Sequence, residues 1–191
     1  MYLFVVEEDL SLTDKIYLAS LLRECLHEEA EYIEKINQKD ITITPYLDFT
    51  SELLQHLLSR KLIIPYLIND LDQFIEEEDG TINYYIYYIN YQINIQPKDG
   101  DYQMMLHRLM YPRSDEFLEN PNFCYEFWKK IAFYESMQYL MFKMKSVRYD
   151  FSPGPKTTTV FQNLVNNFSV GQIYNIIYRA IANSTELYQS G

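Results

Sequence analysis

The sequence predicts an α+β fold, predominantly α-helical, on three observations. Apolar residues recur at three- and four-residue spacing through most of the chain. One stretch is β-branched and aromatic around an Asp-Gly pair. Glycine is scarce, with 5 in 191 residues. Helical spacing gathers apolar side chains on one face of a helix, β-branched and aromatic residues suit a pleated surface, and few glycines leave little material for tight turns. Hydrophobic residues at 48% are enough to fill a core. The organisation predicted is a winged-helix-like region over residues 1–99, with a β-hairpin, followed by a helical bundle region over 100–191, the two able to share one core.

In the first region, Ser11 and Asp14 match the Ser-x-x-Asp pattern in which hydroxyl and carboxylate satisfy the orphan amides of a helix start. Ile16, Ala19, Leu22 and Leu26 then form a stripe, widened by Leu18, Leu21 and Cys25. Tyr32, Ile33 and Ile36 suggest a short second helix after the acidic run Glu28 to Glu31. Thr44-Pro45 interrupts, because proline disfavours helix in the residue before it. Another helix is predicted to start near Thr50, carry Leu53, Leu54, Leu57 and Leu58, and end at Arg60-Lys61, where cations suit the negative end of the helix dipole. Leu62 to Pro65 reads as a short strand. Gln73 to Glu76 and a long strand over Thr81 to Ile95 flank Asp79-Gly80, a hairpin signal. Apolar groups on both faces of that long strand predict cover on both sides.

Pro97 to Gly100 is the expected boundary. Helices are then predicted over 101–111, 114–119 and 122–148, the last with Phe123, Phe127, Ile131, Tyr134, Met137, Met141 and Met144 along one side as core. Ser152-Pro153-Gly154-Pro155 breaks the pattern. A helix over 156–167 and a last one capped by Ser169 follow. Ser190-Gly191 carries no closing helix signal, so the chain is expected either to be part of a longer protein or to fray at its end.

Net charge is −11 and unevenly placed: residues 1–100 hold 7 Lys and Arg against 19 Asp and Glu, residues 101–191 hold 9 against 8. Two distant cysteines, Cys25 and Cys124, inside apolar patterns read as buried thiols of a reducing compartment rather than as a disulfide scaffold. The run Leu3 to Val6 is too short for a signal core and meets Glu7 at once, and no stretch approaches the ~20 apolar residues of a membrane helix. The expected location is cytoplasmic.

Motifs of chemistry are scarce. Cys25, His27, Glu28 and Glu29 are close in sequence, but positions i and i+2 of a helix diverge, and Cys-x-x-Cys and His-Glu-x-x-His are missing. No metal or cofactor is expected. A Gly-x-Ser-x-Gly elbow is missing too, and the isolated glycines assemble no phosphate loop. Ser152 to Lys156 reads as a rigid turn rather than an anion site. Glu135, among Trp128, Phe133, Tyr134 and Tyr139, is the carboxylate to watch, its ordinary fate being a pair with Arg179 or water. No residue is assigned a catalytic role. The candidate contacts for a nucleic acid or another partner are Arg60, Lys61, Lys129, Lys130, Lys143, Lys145 and Arg148. Interleaved aromatic residues in the later helix suit stacking on single strands.

Residues 151–181, with Phe151-Ser152-Pro153-Gly154-Pro155-Lys156, Phe161 and Phe168-Ser169-Val170-Gly171-Gln172-Ile173-Tyr174-Asn175-Ile176-Ile177-Tyr178-Arg179-Ala180, resemble a set of uncharacterised bacterial proteins associated with mobile genetic elements. Members of that set continue past the point where this chain stops. The resemblance implies no activity and no catalytic residue. The function expected is a non-enzymatic protein-interaction or regulatory module with a protein partner. Nucleic-acid binding through the winged helix or the lysine-bearing helix is the alternative, opposed in the first region by its charge, because phosphate affinity comes from Lys and Arg. Two further readings are an acidic region that mimics nucleic acid, and an enzyme of unrecognised type that needs a pocket around a group such as Glu135.

Overall fold

The computed structural model describes residues 4–36, 43–66 and 71–189. They form a mostly helical α+β chain with small two-stranded sheets, divided into two compact units, 1–117 and 118–191. The chain end at Ser190-Gly191 lies outside the described residues.

The first unit opens with β1 (Val5–Val6) and a 3-10 turn (Glu7–Asp9), then α1 (Leu12–Cys25). Ser11 and Asp14 form the reciprocal cap: the Ser11 amide donates to Asp14 Oδ2 at 2.8 Å and the Asp14 amide to Ser11 Oγ at 3.2 Å. The deepest face of α1 is Tyr17, Leu18, Leu21, Leu22 and Cys25. It is rotated from the predicted stripe, for Ile16 and Ala19 are only half-buried and line a side cleft with Met110, Tyr111 and Phe117. Tyr32 to Lys35 are not helical. Ile33 exchanges backbone hydrogen bonds with Tyr91 at 2.7 and 2.9 Å and bridges to Leu26, so its β-branched side chain is buried as part of a sheet.

Helix α2 (Leu47–Ser59) starts three residues before Thr50 and buries Phe49, Leu53, Leu54 and Leu57. It ends in a Schellman arrangement: the Lys61 amide donates to the Leu58 carbonyl and the Leu62 amide to Leu57, both at 2.9 Å, with Lys61 left-handed at φ 55°. Next come β2 (Ile63–Pro65), a 3-10 turn (Leu71–Gln73), the hairpin β3 (Phe74–Glu76) and β4 (Ile82–Tyr84), then β5 (Tyr91–Ile93) and β6 (Ile95–Gln96). β2 pairs antiparallel with β5, and β1 parallel with β6.

The long strand predicted over 81–95 is therefore broken. A turn closes at Tyr85–Tyr88, and the Tyr91 hydroxyl donates back to the Ile86 carbonyl at 2.6 Å. The break lets Ile89, Tyr91, Ile93 and Ile95 enter the core while Tyr85 and Tyr88 stay outside. β4 is largely exposed rather than covered on both sides. α3 (Tyr102–Met110), beyond the Pro97–Gly100 boundary, packs on α1 within this unit through Met105, Leu106 and Leu109. α4 (Ser114–Leu118) spans the division between units.

The second unit holds α5 (Pro121–Ser146), α6 (Pro155–Asn167) and α7 (Val170–Gln189), with proline in the first turn of α5 and α6, where its missing amide costs nothing. Its core is Ala132, Met137, Phe161, Val165, Ile173 and Ile177. The predicted stripe of α5 is half-buried apart from Met137. The buried positions of α5 are Ala132, Ser136 and Met137. Cys25 is buried and Cys124 half-buried, and neither is in a disulfide.

Candidate functional site

Two polar constellations organise the first unit. The first is centred on Asp14, which has no exposed surface. Its Oδ1 meets His56 Nε2 at 2.7 Å, and its Oδ2 accepts from the Ser11 amide and lies 3.0 Å from the Arg60 guanidinium. Burial by itself raises a carboxyl pKa. Here the His56 hydrogen bond, the Ser11 hydroxyl and amide, and the Arg60 charge outweigh it and hold Asp14 below the usual value. Tyr17 sets its ring edge-on to His56 at 5.2 Å and donates its hydroxyl to Glu52 at 3.1 Å. This His-Asp pair resembles the orienting half of a nucleophilic site, but the hydroxyl beside it, that of Ser11, accepts the cap bond. Its observed work is to tie α2 to the start of α1.

The second is Glu7, gripped by Arg108: Nε donates to Oε1 at 2.6 Å and a terminal nitrogen to Oε2 at 2.7 Å, while Arg108 also holds Asp99 at 2.8 and 3.1 Å. The Lys98 amide donates to Glu7 at 3.1 Å. The Arg108 hydrogen bonds hold Glu7 and Asp99 below, and Arg108 above, their usual values. Both clusters join segments far apart in sequence, which spacing alone does not reveal.

The candidate cations separate into different roles. Arg60 belongs to the Asp14 cluster. Lys61 is exposed at the end of α2. Lys129 pairs with Glu126 at 2.8 Å and lies over the Tyr125 ring at 4.8 Å. Lys130 is half-buried. Lys143 lies over Tyr178 at 4.9 Å. Lys145 and Arg148 are exposed and share an open cleft of about 610 Å³ with Phe142, Tyr149, Asp150 and Phe151. The predicted row of cations along one helix is thus reduced to its far end.

No family model matches this chain, and no curated protein or solved structure does.

Among the described residues, no three His, Cys, Asp or Glu side chains converge on a point that could hold a metal. Cys25 is buried, and His27 stacks on Tyr32 at 4.5 Å, which stacks on Tyr66 at 5.2 Å. Glu135 accepts a hydrogen bond from Tyr174 at 3.0 Å; Arg179, the predicted partner, is exposed. Tyr174 stacks on Tyr139 at 4.1 Å, and burial together with the Glu135 carboxylate pushes its hydroxyl up to about 12. This trio fastens α7 to α5.

Missed from sequence was the surface of the β3–β4 hairpin. Glu76, Glu77, Glu78 and Asp79 are exposed, with Ile75 and Ile82 half or more exposed beside them. Residues 62–97 contain no Lys or Arg, a signal that was legible. Among the described residues no helix is long and apolar enough to cross a membrane.

Proposed function

We propose that this chain is a non-enzymatic protein-interaction or regulatory module, in which a winged-helix-like first unit binds protein rather than nucleic acid. The order α1, the Ile33 bridge, α2, β2, the β3–β4 hairpin and β5 supports the winged-helix reading. The resemblance of residues 151–181 supports a mobile-element origin. The observation that carries the functional reading is the charge of the parts such a fold offers to DNA. The exposed side chains of α2 are Leu47, Asp48, Gln55 and Ser59, and the hairpin tip is Glu76 to Asp79. Arg60 is committed to Asp14, which leaves Lys61 exposed at the end of α2. The unit as a whole carries 9 Lys and Arg against 22 Asp and Glu. Phosphates would be repelled, and exposed Ile75, Ile82, Tyr85 and Tyr88 offer apolar area of the kind interfaces cover.

Titrating labelled duplex DNA with the protein tests this reading. No anisotropy change is expected even at about 50 mM salt, where phosphate binding is strongest. Micromolar duplex binding abolished by Lys61→Glu would overturn it. As the positive arm, a basic protein retained by the chain should be released by Glu76→Lys with Glu78→Lys, and by Ile82→Asp.

A further inference from the structure

The end of α5 gathers exposed aromatic rings and exposed cations in the second unit. Phe142 and Tyr149 are 63% and 62% exposed, although large aromatic rings gain from burial. Phe142 and Lys145 sit three residues apart, one turn along α5. Arg148 follows in the left-handed conformation, φ 58°, which a side chain ordinarily avoids. Its amide donates to the Lys145 carbonyl and the Tyr149 amide to Met144, both at 3.0 Å, so a Schellman turn fixes the path with Arg where glycine is usual. Phe151 and Met141 complete the wall of the open cleft, and Asp150 is its one anion. The second unit is the cationic one, with 7 Lys and Arg against 5 Asp and Glu.

We infer that this cleft binds single-stranded nucleic acid, with bases stacked on Phe142 and Tyr149 and phosphates held by Lys145 and Arg148. Ring, cation, cation and ring follow one another along the chain, and a single strand alternates flat apolar faces with phosphates in the same way. Stacking tolerates any base because each has a π-face, and it requires unpaired bases. A duplex hides those faces. An acidic peptide would match the cations but would leave the two rings without flat partners. The inference is independent of the reading given for the first unit.

The test is anisotropy of a labelled twelve-residue oligothymidylate with the full chain. Two phosphate contacts predict a salt slope of about −1.4, so a fourfold rise in salt weakens binding about 7-fold. Phe142→Ala and Tyr149→Ala should each weaken it at least about 5-fold, the lower bound for one stacked base. Lys145→Gln should lower the slope by about 0.7. Asp150→Asn should tighten binding. Arg148→Gly should weaken binding while raising the unfolding midpoint, a combination that damage to the fold cannot produce. Phe168→Ala, an exposed ring of the same unit that lies outside the cleft, should change nothing. Circular dichroism and Trp128 emission establish that each variant is folded.

Three results would overturn the inference. One is no binding at about 50 mM salt, the condition that favours phosphate contacts. Another is binding that is indifferent to both ring deletions and displaced equally by polyglutamate, which is simple anion attraction. The last is preference for an acidic aliphatic peptide over the oligonucleotide, which assigns the cleft to protein. None of them bears on duplex exclusion by the first unit.

Discussion

Removing the Asp14 carboxylate should destabilise the first unit alone. Three contacts end on it. Its share of the α1 cap accounts for about 1 kcal/mol. A hydrogen bond between a buried charged group and His56 accounts for about 1.5–3 kcal/mol. The Arg60 pair, with Arg60 42% exposed, adds between zero and about 1 kcal/mol. His56 and Arg60 both reach solvent and can rehydrate, so Asp14→Ala should cost about 3 kcal/mol, near the low end of the total. Asp14→Asn keeps the shape and one acceptor but not the charge, and should cost about 1–2 kcal/mol.

Urea unfolding is the assay. Trp128, the single tryptophan, lies in the second unit, so its emission follows that unit while circular dichroism follows both. With an m value of about 1.5 kcal/mol/M, the alanine variant should lose about 2 M in the dichroism midpoint of the first unit. The Trp128 transition should not move. The sign with pH is fixed by the direction of the Asp14 shift. A carboxyl held below its unfolded value of 3.8 stabilises the fold above that value, and the gain is lost as pH falls through the lower folded value. The advantage of wild type over Asp14→Asn should therefore shrink below about pH 4. A cost under about 0.5 kcal/mol for Asp14→Ala, no more than an ordinary surface change, would refute the clamp.

Lys61→Gly should stabilise the first unit by about 0.5–1 kcal/mol, because relief of left-handed strain exceeds the entropy glycine loses; thermal midpoints check it. Ser136 Oγ is buried without a hydrogen-bond partner among the described residues, so Ser136→Ala should be neutral or stabilising by up to about 1 kcal/mol, read from the Trp128 transition. Tyr174 should ionise near 12, and Glu135→Gln should bring it part of the way back toward 10, read as the ultraviolet difference titration against Tyr174→Phe. A raised hydroxyl pKa means that its stabilisation is intact below pH 10 and is lost as pH climbs toward 12, so the second unit should weaken across that window.

What was legible in this sequence was local. The cap at Ser11 and Asp14, the Asp-Gly turn and the positions of α3 to α7 follow from neighbours within four residues, where capping bonds and turn sterics act. The excess of acid in the first half was also plain. What the tertiary structure decided were the choices made by distant partners. Ile33 has the apolar spacing of a helix and becomes a sheet position because Tyr91 offers it two backbone hydrogen bonds. The tyrosine-rich run could be one strand, but a turn at Tyr85–Tyr88 sends Ile89, Tyr91, Ile93 and Ile95 into the core and leaves Tyr85 outside. The candidate cations show the same limit. Composition cannot say that Arg60 is held by a carboxylate 46 positions earlier, or that Lys143 lies over Tyr178 while Lys145 and Arg148 stay exposed. A charge's use depends on what lies within a few ångströms of it, and long-range packing sets those neighbours.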